Sequence, residues 1–157
     1  MPAVNVHATA LARNDEGILI RGASGSGKSL LALLLIDDWV LRGEKALLVS
    51  DDRVDLTATD AAVTMTAPRQ IAGLIELRGR GIVSRPFCDS VRLRLVVDLV
   101  PELERMPDEN EFITEILGRA VPRCPVPALK TSAYPLQRLL IEEALHATDI
   151  ARERDNL

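Results

Sequence analysis

Residues 22–29 read Gly22-Ala23-Ser24-Gly25-Ser26-Gly27-Lys28-Ser29, a complete G-x-x-x-x-G-K-[ST] phosphate-binding loop. An apolar run, Ile18-Leu19-Ile20, leads into it, and a leucine-rich run from Leu30 to Ile36 leads out. That is the strand–loop–helix frame the motif requires. The glycines let the backbone bend so that successive N–H groups face inward, and a helix starting near Lys28 adds its positive end. All eight residues are therefore candidate nucleotide-binding positions. Lys28 would reach the β- and γ-phosphates, and Ser29 would place its hydroxyl on Mg²⁺. A glycine-rich turn without a ligand is the plainer alternative; the correct flanks favour a nucleoside triphosphate.

Outward from the loop, residues 3–12 read as a strand and Asn14-Asp15-Glu16-Gly17 as a turn into the next strand. The helix after the loop is predicted to run to about Leu41 and to stop at Gly43. Lys45 to Val49 is a short, continuously apolar strand of the buried kind. Residues 54–68 suggest a hairpin turning near Asp60-Ala61. Val91 to Leu99 alternates and predicts a strand with one wet face that carries Arg92 and Arg94. Residues 101–110 form a polar loop. Gly118, Pro122 and Pro125 favour extended segments over a helix in 112–126. A second helix is expected over 135–154, capped by Thr131 or Ser132, with Pro135 in its first turn. Leu136, Leu139, Leu140, Ala144, Ala147 and Ile150 recur at helical spacing there. Two helices among about eight strands predict an α/β domain with a mixed sheet.

The 157 residues fit one domain, 1–157, with room for a real core. A net charge of −4 argues against a nucleic-acid partner, and 3% aromatics leave no base-stacking platform. Cys88 and Cys124 show no disulfide framework and no metal-ligand spacing. No apolar stretch reaches membrane-spanning length and no signal peptide precedes Asn5. A cytoplasmic protein without a membrane partner is the expectation.

Asp51-Asp52 follows Lys28 by 23 residues and stands at the end of the Lys45–Val49 strand. Active sites of open α/β sheets lie outside such strand ends. One carboxylate can hold the Mg²⁺ that bridges the phosphates; the other can accept a proton from an attacking hydroxyl. We expect Asp51 to be the base and Asp52 the metal ligand, although side chains alternate there and the order could be reversed. A solvated Asp-Asp turn is the bland alternative. Residues 73–83, Gly-Leu-Ile-Glu-Leu-Arg-Gly-Arg-Gly-Ile-Val, place Glu76 between apolar Ile75 and Leu77. Buried there, it would need a partner or a metal. Arg78 could be that partner or a phosphate contact, so a glycine hairpin with a structural Glu–Arg pair stands beside a functional reading.

Three segments together resemble the bacterial HPr kinase/phosphorylase family: the Gly22–Ser29 loop, Leu48-Val49-Ser50-Asp51-Asp52-Arg53-Val54, and Ile75-Glu76-Leu77-Arg78-Gly79-Arg80-Gly81-Ile82. The last is the specific one. The likeness covers roughly residues 5–100 and extends weakly to the C-terminal helix. The resemblance implies a phosphate-loop, phosphoenolpyruvate-carboxykinase-like fold. It further implies an ATP- and Mg²⁺-dependent serine kinase of the phosphocarrier protein HPr, acting as a homo-oligomer. It also implies that the Asp51-Asp52 stretch supplies the catalytic carboxylate and that Glu76 helps hold the metal, with His7 in the family's place for a histidine. Longer members have a preceding domain; this chain begins almost at the kinase domain, as in short forms resembling those of alphaproteobacteria. The arginine-rich loop that serves dephosphorylation is replaced by Pro125-Val126-Pro127-Ala128-Leu129-Lys130, with Lys130 its one cation and Arg123 just upstream. Phosphorolysis of phosphoserine-HPr is therefore expected to be weak or absent. A small-molecule kinase on the same scaffold, and a module that senses nucleotide without turnover, are the competing functions.

Overall fold

The computed structural model describes residues 2–128 and 134–156. Lys130 and the cap candidates Thr131 and Ser132 lie outside them, as do the side chains of Pro135, Leu136 and Leu139. The strands are β1 (Val4–Val6), β2 (Thr9–Arg13), β3 (Glu16–Arg21), β4 (Ala46–Ser50), β5 (Val54–Ala58), β6 (Val63–Thr66), β7 (Leu74–Leu77), β8 (Gly81–Ser84), β9 (Ser90–Val100), β10 (Ile113–Ile116) and β11 (Arg119–Pro127). The helices are α1 (Lys28–Leu41) and α2 (Tyr134–Asp155). The expected N-terminal strand is thus two strands, broken at His7-Ala8, and they pair with different neighbours.

Nine strands form one mixed sheet, with the path β1-β5-β6-β9-β3-β2-β4 and β11 added parallel to β9. β3 and β9 are also parallel, whereas β2 pairs antiparallel with both β3 and β4. Asn14, at φ 54°, turns the β2–β3 hairpin in the left-handed region that Asn tolerates. At the far end of α1, Gly43 has φ 83°. Its N–H bonds the Val40 carbonyl at 3.0 Å and that of Glu44 bonds the Trp39 carbonyl at 3.0 Å. This is the Schellman closure a C′ glycine makes possible.

Side-chain alternation splits the core in two. Leu11, Ile18, Ile20, Leu48, Leu95 and Val97 face α1 and α2, and they pack on Leu31, Leu35, Trp39, Ile141 and Leu145. Ala10, Ala12, Leu19, Val49 and Val96 face the other way and meet Val54, Leu56, Val63 and Met65 of β5 and β6. The sheet therefore curls so that its β5–β6 half covers its own back. β9 does not have the wet face its alternation predicts. As the central strand it is covered on both sides from Leu93 onward, leaving Arg92 exposed and Arg94 half-buried. α2 is tied to α1 by polar contacts as well as apolar ones. Trp39 Nε1 donates to Glu142 at 2.8 Å, and the Tyr134 hydroxyl donates to the Leu34 carbonyl at 3.2 Å. Burial beside Asp38 raises the Tyr134 pKa.

Candidate functional site

The loop between β3 and α1 is shaped by its glycines. Gly25 and Gly27 have φ of 78° and 97°. A Cβ on Gly22 would lie 2.6 Å from Ser26 Oγ and 2.9 Å from Leu99 Cβ. The Ser26 N–H closes a turn on the Ala23 carbonyl at 3.0 Å. α1 starts with no side-chain cap and no acidic residue in its first turn, so its leading N–H groups and positive dipole end are open to an anion. Lys28, 7% exposed, donates from Nζ to the carbonyls of Gly22 at 2.9 Å and Ala23 at 3.1 Å. Its ammonium is held at the loop's mouth, where a polyphosphate would compete for it.

At the end of β4 the two aspartates part company. Asp51 is 7% exposed and accepts three hydrogen bonds. They come from Ser29 Oγ at 2.7 Å, Thr9 Oγ1 at 2.8 Å and the Glu76 backbone N–H at 2.9 Å. Asp52 turns the other way. Its φ of 69° breaks the strand, its side chain is 69% exposed, and Oδ1 lies 2.6 Å from His7 Nε2. The two carboxylates therefore differ in setting: the buried one stands with Ser29, the serine expected to meet Mg²⁺, and the exposed one faces outward with His7.

Glu76 departs from expectation as well. Strand alternation in β7 buries Ile75 against α1 and leaves Glu76 exposed, and no Glu76–Arg78 ion pair forms among the described residues. The residue meets the site through its backbone amide, so the predicted buried carboxylate is not there. Gly79 and Gly81 do adopt positive φ, 92° and 105°, in the β7–β8 turn. Thr9, fully buried, is a site residue the sequence reading passed over. Its signal was one hydroxyl inside an alanine-rich strand. A second missed feature braces the strand that carries the loop. Arg21, the last residue of β3, donates twice to Asp98 of β9 at 2.7 Å. Arg123 of β11 holds the same carboxylate at 2.5 Å and also bonds Glu111 Oε2 at 3.0 Å. Burial alone would raise the Asp98 pKa, but the hydrogen bonds and charge of Arg21 and Arg123 outweigh it and hold the carboxyl below its usual range.

Ser29 and Asp51 offer a hydroxyl and a carboxylate oxygen at one point, donors that suit Mg²⁺. Among the described residues no cluster of three or more His, Cys, Asp or Glu could hold a metal by itself.

The family model described as the HPr serine kinase C-terminal domain matches residues 1–152. Among named relatives, HPr kinase/phosphorylase of Clostridium novyi is 35% identical over 137 residues, covering 80% of this chain and 43% of that protein. That of Caldicellulosiruptor bescii is 37% identical over 139 residues, covering 80% and 42%. The chain thus spans less than half the length of these relatives. The solved structure of the Hpr(Ser) kinase/phosphatase from Coxiella burnetii superposes with a TM-score of 0.75 at 27% identity, covering 98% of this chain and 94% of that one. The expected phosphate-loop, phosphoenolpyruvate-carboxykinase-like fold is thereby borne out. With its loop, its Asp pair and its sheet accounted for along almost the whole length, the chain belongs to the family of the HPr serine kinase C-terminal domain.

Proposed function

We propose that residues 1–157 act as one catalytic domain, an ATP-dependent protein-serine kinase of the phosphocarrier HPr, working in the cytoplasm as a homo-oligomer. One observation carries the catalytic reading: Ser29 Oγ and Asp51 Oδ1 meet at 2.7 Å beside the phosphate loop, while Asp52, paired with His7, stands exposed one residue on. The loop amides and Lys28 hold the triphosphate. Ser29 and Asp51 would hold Mg²⁺, with the exposed Glu76 carboxylate as the remaining candidate ligand. When bound, the ion neutralises charge on the transferring phosphoryl group. Asp52, oriented by His7, accepts the proton of the attacking serine hydroxyl. An Asp52 side chain 69% exposed suits a serine presented by a docking protein better than an enclosed small molecule. No helix among the described residues is long and apolar enough to cross a membrane.

Incubation with labelled ATP, Mg²⁺ and HPr from the same organism tests this reading. Serine phosphorylation of HPr is the expected result. Label passing to a small hydroxyl compound but not to HPr would favour a small-molecule kinase, and ATP binding without turnover a sensor.

A further inference from the structure

At the end of β9 away from the phosphate loop, the β5–β6 turn, the first residues of β9, the β10–β11 turn and α2 enclose a cleft of about 440 Å³. Leu99 touches the loop at Gly22, and Arg92 precedes it by seven residues of the same strand. At ~3.3 Å per residue the two sites are on the order of 20 Å apart. Arg92, Arg94 and Arg119 line the cleft, together with Ala61, Gly118 and Thr148. None of the described lining residues is acidic, in a chain whose net charge is −4.

The arginines are positioned but not neutralised. Arg92 Nη2 donates to the Ala61 carbonyl at 3.3 Å and Arg119 donates to the Thr59 carbonyl, so among the described residues two of them bond only dipoles. Among the described residues Arg94 has no hydrogen-bonded or ion-paired partner. It is also the extra residue where the β3–β9 register slips, Gly17 pairing with Leu93 and Ile18 with Leu95. Such a bulge re-aims a side chain. Arg152 brings a fourth positive charge nearby, itself ion-paired with Glu16 at 3.8 Å and Asp149 at 3.9 Å. Burial, then the charges of Arg152 and Arg92, lower the Arg94 pKa against the partial offset of Glu16 and Asp149. Arginines gathered in a cleft whose described lining holds no carboxylate repel one another, a cost that a bound anion lowers.

We infer that this cleft is a second anion site, taking inorganic phosphate or a small phosphate ester on the guanidinium groups of Arg92, Arg94 and Arg119. Planar guanidinium forks match phosphate oxygens two at a time, and the cleft is within the size of small-ligand pockets. The site stands apart from the kinase reading: loss of turnover in a phosphate-loop variant leaves it intact.

Amide NMR of the whole chain, titrated with inorganic phosphate and separately with glycerol 3-phosphate, tests it. The expected result is a saturable set of shifts at Ala62, Arg94 and Gly118, distinct from any set at Gly25–Ser29. Arg94→Gln should weaken the first set by about tenfold or more and spare the second. Without phosphate, Arg94→Gln should melt at the wild-type temperature or above it, because a repulsion has gone. With phosphate it should gain less than wild type. Arg92→Gln carries the same test should Arg94→Gln not fold. Tighter binding of glycerol 3-phosphate identifies an ester as the ligand, and equal binding identifies phosphate itself. Shifts confined to the phosphate loop, or wild-type titrations in both variants, overturn the site.

Discussion

Neighbouring aspartates with the same chemistry are separated by one backbone angle. Strand geometry carries Asp51 inward to Ser29, and the left-handed φ of Asp52 turns it outward to His7. Asp51→Asn is therefore expected to weaken Mg²⁺-nucleotide binding as well as turnover, since it removes the carboxylate proposed to hold the metal and puts an amide among three donors. Asp52→Asn should lower kcat by about a hundredfold or more with nucleotide affinity nearly unchanged. Asn tolerates positive φ, so the backbone survives the change. Titrating Mg²⁺-ATP affinity against turnover in both variants checks the pair; the reverse pattern exchanges the roles. Lys28→Ala should abolish transfer while circular dichroism and the melting curve stay near wild type. Among the described residues its ammonium bonds only the loop carbonyls of Gly22 and Ala23, so no core contact is lost with it. Normal kinase rates in a folded Lys28→Ala chain would refute the loop assignment.

Among the elements, the strand that delivers the loop is braced by Arg21–Asp98–Arg123, and this brace titrates. Because the folded pKa of Asp98 is depressed, its stabilisation is fully present above the unfolded value of ~3.9 and is lost as pH falls through the folded value. Asp98→Asn should cost about 3 kcal/mol at neutral pH, since two arginines lose their shared, largely buried counter-charge. The gap to wild type should narrow as pH falls below the unfolded value in urea denaturation; a gap independent of pH would show that the brace acts by packing alone. None of it was visible in the sequence, where Arg21, Asp98 and Arg123 stand in different segments and only strand pairing joins them. The loop, both helices, the hairpin turns and the end position of the Asp pair were legible because each depends on local spacing. The burial of Glu76, the wet face of β9 and the opposite directions of the two aspartates were not. Each depends on which side of a strand faces a neighbour, and a central position, a bulge or one positive φ reverses that parity.

For the molecule as a whole, the same brace bears on the direction of the reaction. Phosphorolysis needs inorganic phosphate beside phosphoserine, two anions that repel by about 4 kcal/mol at ~4 Å and an effective dielectric near 20. Arg123, the described cation nearest in sequence to the place of the family's arginine-rich loop, is already bonded to Asp98 and Glu111. We expect kinase activity to predominate. Pyrophosphate release from serine-phosphorylated HPr at millimolar phosphate measures this, and rapid release would point to exposed Arg78 or Arg80 as the cations responsible. The ends of the strand order have a different consequence. β1 has three residues, and β4 is shielded where the Leu48 N–H and carbonyl bond Pro86 and Cys88, with a bridge from Leu48 to Phe87. At these two ends of the path a foreign strand therefore finds little unpaired backbone to extend, and β10, paired only with β11 among the described strands, is the sheet's remaining edge. The 86–88 segment thus closes the β4 edge against strand addition, so strand-mediated association would have to begin at β10.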